Sequence, residues 1–273
     1  MFEEKAYEKF KEQILRDGPR LGPADQFHFQ CHGGLGCFNH CCHDVNIFLT
    51  PYDVLRIKNR LGVSSEDFLD RYCLIPFSKA MRYPIILLKM KEDEELRCPF
   101  LDAPAGCSIY EDRPWSCRMY PLGRAAPPEG EAEELFHFLL QEDFCEGHRQ
   151  AAEWTVAQWL ENQNVGEYDA VGKVFQTFVQ DKRLQEADLS PAQMDMIFMV
   201  FYDLDRFRRF VFDTKFLNMF EISPAAIDAM RSKDAALLRF GFDWLRFALW
   251  KDPTLRIREE IVRARLAQTG IQR

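Results

Sequence analysis

The chain has 273 residues, enough for one large domain or two modest ones with a sizeable core. Hydrophobic residues make up 47% and charged residues 29%, which excludes a disordered chain. The net charge of −8 offers no basic face for nucleic acid, and no apolar run approaches the ~20 residues of a membrane helix. The first residues are charged and acidic, with no signal-peptide pattern, so the chain reads as cytoplasmic.

In chain order, the four-residue spacing of Phe2, Ala6, Phe10 and Ile14 predicts a helix over 2–16, stopped by Asp17-Gly18-Pro19. A first cysteine group follows. Thr50-Pro51-Tyr52-Asp53 predicts a capped helix ending at Gly62, and Ser64-Ser65-Glu66-Asp67 predicts a second. Tyr83 to Lys91 and Leu96 to Leu101 read as strands joined by an acidic turn. Asp112-Arg113-Pro114 opens a short helix that Pro121 closes, and Arg124 to Gly130 reads as a loop. Beyond Cys145, helical patterns cover 150–163, 168–182, 191–212, 224–231, 234–250 and 254–267, with Ser190-Pro191 and Ser223-Pro224 as cap-plus-proline starts. Their aromatics, spaced by three and four, are those of a bundle core rather than a cofactor box. The arginines near the end (Arg256, Arg258, Arg263, Arg265) suit a solvated helix face.

The expected fold class is α+β: a small cysteine-rich metal-binding domain with a short β-hairpin around 83–101, followed by an all-helical half. The domains expected are an N-terminal helix and linker over 1–26, a metal-chelating domain over 27–150 and a helical domain over 151–273.

All nine cysteines lie between Cys31 and Cys145. The odd number and the cytoplasmic reading favour metal or redox chemistry over a disulfide framework. There is no C-x2-C, so neither a zinc knuckle nor a thioredoxin motif is present. Residues 1–150 carry 18 Lys and Arg against 25 Asp and Glu. Clustered thiolates added to that excess need cations among them. Cys117 falls at the start of the helix after Pro114, where the helix dipole favours a thiolate. Arg113 and Arg118 flank it and could donate to cluster sulfurs. Cys73, on an amphipathic helix end, reads as a buried structural thiol. His28, His32, His40, His43 and His148 crowd the same region, each more simply a supporting residue than a ligand.

Several blocks carry a resemblance: Phe29-Gln30-Cys31, Cys41-Cys42, Leu49-Thr50-Pro51-Tyr52-Asp53-Val54, Cys98-Pro99-Phe100-Leu101, Gly106-Cys107-Ser108-Ile109-Tyr110-Glu111, Arg113-Pro114 and Cys117-Arg118-Met119-Tyr120-Pro121. Over roughly residues 27–150 the chain resembles the cysteine-cluster family, the YkgJ-like zinc- or iron-chelating domain. Its C-x5-C-x3-C-C opening departs from the commoner C-x2-C-x2-C-C form and looks nearer to the flagellin lysine N-methylase branch, associated with an iron–sulfur cluster and S-adenosylmethionine. The resemblance implies eight metal ligands: Cys31, Cys37, Cys41, Cys42, Cys98, Cys107, Cys117 and Cys145. Cys73 has no counterpart in the pattern.

Between zinc or iron ions and an iron–sulfur cluster, the missing knuckles and the vicinal Cys41-Cys42 pair favour a [4Fe–4S] cluster. The first functional expectation is a metal-binding protein whose role beyond metal binding is open. The alternative is a flagellin-methylase-like transferase acting on a protein or peptide with S-adenosylmethionine, although no Gly-rich turn for that cofactor is visible. Membrane and nucleic acid are not expected as partners, and the oligomeric state is left open.

Overall fold

The computed structural model describes residues 19–76, 82–125 and 135–269, so the helix expected over 2–16 lies outside the described residues. Its elements in chain order are β1 (Gln26–His28), α1 (Pro51–Leu61), α2 (Ser65–Tyr72), β2 (Cys73–Leu74), β3 (Leu87–Leu88), β4 (Leu101–Asp102), β5 (Gly106–Cys107), α3 (Trp115–Met119), β6 (Leu122–Ala125), β7 (Phe136–Leu139) and β8 (Glu153–Thr155). Helices follow: α4 (Val156–Asn162), α5 (Val165–Val179), α6 (Lys182–Glu186), α7 (Pro191–Phe201), α8 (Leu204–Phe212), α9 (Pro224–Ser232), α10 (Asp234–Trp250) and α11 (Glu259–Thr269). Short sheets lie in the N-terminal half and most of the helix in the C-terminal half, so the fold class is α+β.

Contacts divide the chain into two units that do not follow it linearly: 1–45 with 92–167, and 46–91 with 168–273. Among the described residues, the first unit contains three antiparallel two-stranded sheets, β1 with β8, β4 with β5 and β6 with β7. Its core gathers Phe27, Phe29, Met119, Leu122, Cys145, Val156, Trp159 and Val165. Trp159 Nε1 donates to the Met119 carbonyl and Trp154 Nε1 to the Phe29 carbonyl, so each indole keeps its polar edge paired while burying its body.

The second unit is built on helices with well-formed caps. Thr50 and Asp53 form the reciprocal capping box of α1: Asp53 N donates to Thr50 Oγ1 at 3.1 Å, and Thr50 N donates to Asp53 Oδ2 at 2.7 Å. Gly62 ends the helix at φ 65°, a backbone conformation that penalises a Cβ. Ser64, Ser190 and Ser223 cap α2, α7 and α9 as their sequences predict. The aromatics do form a core: Phe201 meets Phe175, Phe178 and Phe242, while Phe207 and Phe216 both lie 5.5 Å from Trp244.

Three expectations are corrected. The strand signals at 83–91 and 96–101 do not pair with each other; β3 pairs with β2, and β4 with β5. Two-residue strands carry too little alternation to specify a partner, so non-local burial chooses it. The helix expected over 191–212 breaks at Tyr202-Asp203. Asp203 caps α8 by accepting from Arg206 N at 3.2 Å, and it also accepts the Ser65 hydroxyl at 2.6 Å. The helix expected from residue 150 begins at Val156, because 153–155 pair with β1 and Thr155 with Gln158 then forms a capping box. Arg124 and Ala125 still belong to β6, and 126–130 of the expected loop lie outside the described residues.

Candidate metal centre

Cys31, Cys37, Cys41 and Cys42 sit on an irregular loop that ends in a single 3-10 turn, His40–Cys42. Asn39 enters that turn at φ 69°, and its carbonyl accepts from Cys42 N at 2.9 Å. Backbone bonds then bring Cys98 to this loop. Cys98 N donates to the Cys42 carbonyl at 2.8 Å, and Asp44 N donates to the Leu96 carbonyl at 3.0 Å. The 55 residues between Cys42 and Cys98 are thereby closed into a loop by one short antiparallel contact. Cys107, on β5, follows Gly106, whose φ of 104° excludes most side chains and whose missing Cβ leaves room for the Phe38 ring. Cys117 lies in the first turn of α3. Cys145 is reached through its neighbours: Glu146 N donates to Cys37 Sγ at 3.2 Å, Gly36 N donates to Glu146 Oε2 at 3.1 Å, and Gln30 N donates to the Gly147 carbonyl at 3.1 Å.

The electrostatics give the same grouping. Burial first, then the charges of Cys41, Cys37 and Cys145, pushes the Cys31 thiol up to about 11. Cys42 is raised by its hydrogen bond with Cys41, by burial and by Cys41, Cys98 and Cys117. Cys41 moves the other way, lowered chiefly by the Cys42 thiol that donates to it, with His43 adding to the effect. The vicinal pair therefore gives up one proton readily and holds the second. Burial raises Cys107, against the opposing field of Arg113. Every one of the eight cysteines is thus within the field or hydrogen-bond reach of another. Cys73 is not among them: it lies on β2 in the other unit, and burial alone pushes it up to about 12.

Buried and protonated, Cys73 should resist alkylation at pH 8 in the native protein, as mass spectrometry of the labelled peptides would reveal. Its folded value lies above the ordinary 9.0, so its contribution to stability is present in full below pH 9 and lost as pH rises towards 12.

Arg113 and Arg118, expected to donate to cluster sulfurs, donate to carbonyl and amide oxygens around Cys107 and Cys117. Arg118 Nε donates to the Arg113 carbonyl at 3.1 Å, its Nη1 to the Gln163 carbonyl at 2.9 Å and its Nη2 to the Glu111 carbonyl. It braces the loop that delivers Cys107 and the helix that delivers Cys117. Arg113 donates to the Tyr110 carbonyl and to Gln163 Oε1, and its guanidinium lies over the Tyr110 ring at 3.7 Å. Burial lowers its pKa, while Cys117 and Cys107 act to raise it. A buried cation beside these sulfurs favours their thiolate forms.

The histidines have local roles. His32 Nδ1 accepts from Gly34 N, His40 packs with its ring tilted against Phe144, His43 Nδ1 meets the Asn39 carbonyl, His148 Nε2 meets the Leu140 carbonyl and His28 lies on β1. Among the described residues, no three His, Cys, Asp or Glu side chains stand ready as a single-ion site. The chemistry of the donor set nevertheless suits a thiophilic metal: clustered thiols, an adjacent buried guanidinium and a pair poised to lose a proton.

Residues 30–146 match the family described as "Putative zinc- or iron-chelating domain". This part of the chain is similar to that family's domain. No curated protein and no solved structure gives a significant match to the chain. The family match does not reach the methylase branch. The bounds of the chelating domain enclose all eight cysteines and also Cys73, which the fold places in the other unit. Among the described residues no helix is long and apolar enough to cross a membrane.

Sequence reasoning missed Phe38, Glu146 and Gly147, whose importance is spatial. A Cβ on Gly147 would lie 2.7 Å from the Phe29 ring and 3.1 Å from the Gln30 carbonyl. Gly147→Ala should therefore cost about 1–3 kcal/mol through overpacking. Because the same bond ties the Cys145 turn to Cys31, metal per chain should fall together with Tm. Unchanged values of both would show that the turn tolerates the methyl group.

Proposed function

We propose that the chelating domain holds its metal through Cys31, Cys37, Cys41, Cys42, Cys98, Cys107, Cys117 and Cys145, and that the metal is iron in a [4Fe–4S] cluster rather than zinc or iron ions. The observation that carries the ligand set is the mutual coupling of these cysteines through the Cys41-Cys42 pair, with Cys73 left out. Eight cysteines exceed the four of one cluster, so a second centre or a subset of supporting thiols is part of the reading. A bound cluster supplies one-electron chemistry or structural cross-linking. The chain's own residues would position the thiolates: the His40–Cys42 turn, the Cys42–Cys98 backbone bond and the Arg118 brace. Arg113 would hold charge beside Cys107 and Cys117. The setting is cytoplasmic, where thiols stay reduced. No observation singles out the methylase alternative.

Anaerobic purification with iron, zinc and acid-labile sulfide analysis tests the proposal. Iron and sulfide in equal amounts, with a brown chromophore, are expected. A colourless protein with stoichiometric zinc and no sulfide would refute the cluster while leaving the ligand set standing. Cys41→Ser should lower metal content and Cys73→Ser should not; equal effects would remove the ligand assignment.

A further inference from the structure

We infer that Glu146 is a positioning residue of the metal centre: its carboxylate holds the Gly36 amide, and this clasp sets the Glu146 backbone N–H against the Cys37 sulfur. The inference rests on the metal-binding reading above.

Two hydrogen bonds make the clasp. Gly36 N donates to Glu146 Oε2 at 3.1 Å, and Glu146 N donates to Cys37 Sγ at 3.2 Å. They run in opposite directions between one residue of the Cys145 turn and two consecutive residues of the first cysteine loop. Among the described residues, every other hydrogen bond made by 31–37 is local. Gly34 N donates to His32 Nδ1, Leu35 N to the His32 carbonyl, Phe38 N to the Leu35 carbonyl and His40 N to the Cys37 carbonyl. Glu146 is therefore the one residue that fastens this stretch to a distant segment by hydrogen bonds.

Local chemistry accounts for both bonds. Glu146 opens the 3-10 turn Glu146–Arg149, and the first N–H of such a turn has no partner inside it. The Cys37 sulfur takes that donor. A Cβ built on Gly36 would lie 3.2 Å from Glu146 Oε1, tighter than ordinary contact, so the missing side chain leaves the carboxylate its path to the amide. An ionised acceptor also holds a backbone N–H more strongly than a neutral one does. The turn that carries Glu146 is itself braced. Gln30 N donates to the Gly147 carbonyl at 3.1 Å, and Gln150 Nε2 donates to the Glu146 carbonyl at 3.3 Å. An N–H held against a ligand sulfur fixes where that ligand sits and withdraws electron density from it. The donor is a backbone amide, so the bond needs no change of protonation at Glu146.

Cobalt(II) titrated anaerobically into the full-length chain reports the clasp through its affinity and its thiolate-to-cobalt charge-transfer bands. Glu146→Ala removes the carboxylate and keeps the backbone N–H, whereas Glu146→Gln keeps an oxygen that can accept from Gly36 N. E146A should bind cobalt about 10- to 100-fold more weakly, with its bands at lower energy, and E146Q should restore both. A side chain needed only for packing would leave the band energies where they were. An E146Q as impaired as E146A would show that charge rather than placement matters, and would overturn the positioning role. An E146A that matches the unmodified chain would overturn it too. No thiolate-to-cobalt band in the unmodified chain would remove the metal reading and this inference with it. Should E146A fail to fold, amide exchange in the zinc(II)-loaded unmodified chain decides: the Glu146 N–H should exchange slowly, and rapid exchange at that amide would overturn the clasp.

Discussion

Stripping the metal from this protein under reducing conditions should unfold the unit formed by residues 1–45 and 92–167 while the helices of the other unit persist. The reason is the small amount of regular structure available to hold eight thiols together. The first unit has sheets of two strands each, joined by irregular loops, and its core is a modest aromatic cluster. Metal-binding free energy in such sites is folding free energy, about 10–16 kcal/mol for structural zinc peptides near neutral pH. The second unit has its own buried core, including Phe201, Phe207, Leu237, Leu238, Phe242 and Leu245, and its own caps. Far-UV circular dichroism should therefore fall only in part, while hydrogen exchange in the cysteine-bearing segments becomes rapid. Acid should reproduce the effect, because metal-bound thiolates must reprotonate before they let go. A chelated protein that melts unchanged, with thiols titrating normally, would sink the metal requirement.

The second large effect belongs to the helical core. Phe207→Ala should cost about 3–5 kcal/mol. Phe207 is fully buried, lies 5.5 Å from Trp244, and sits against a glycine: a Cβ at Gly241 would come within 3.0 Å of its ring and 2.6 Å of Val200. Helices packed this closely have little freedom to collapse into the cavity. Urea unfolding should show the loss, with metal per chain unchanged. A parallel fall in metal content would mean that the two units do not answer independently to mutation.

Particular residues show what was readable in the linear chain. The helix starts at Thr50, Ser190 and Ser223 were legible because a cap is a local device, with donor and acceptor three residues apart. A metal reading was legible because the cysteines crowd an acidic segment in which clustered thiolates need a cation, while the choice of eight of them is what the family resemblance implies. Asp203 was readable in principle, an N-cap residue inside an apolar run, but helical periodicity on both sides masked it. The partners of the strands were not readable: Leu87 pairs with Leu74, and Leu101 with Cys107, although the nearest strand signals in the chain were each other.

Residue type and spacing alone thus identified the fold class, the helix caps and the aromatic core, since each depends on chemistry local to a few residues, whereas the eight candidate ligands are what the resemblance to the cysteine-cluster family implies. Only the tertiary structure decided that one backbone bond joins Cys42 to Cys98 and that Arg118 braces carbonyls. Each of these is a contact between segments distant in the chain, selected by burial and by the requirement that buried polar groups find partners, which no local pattern encodes.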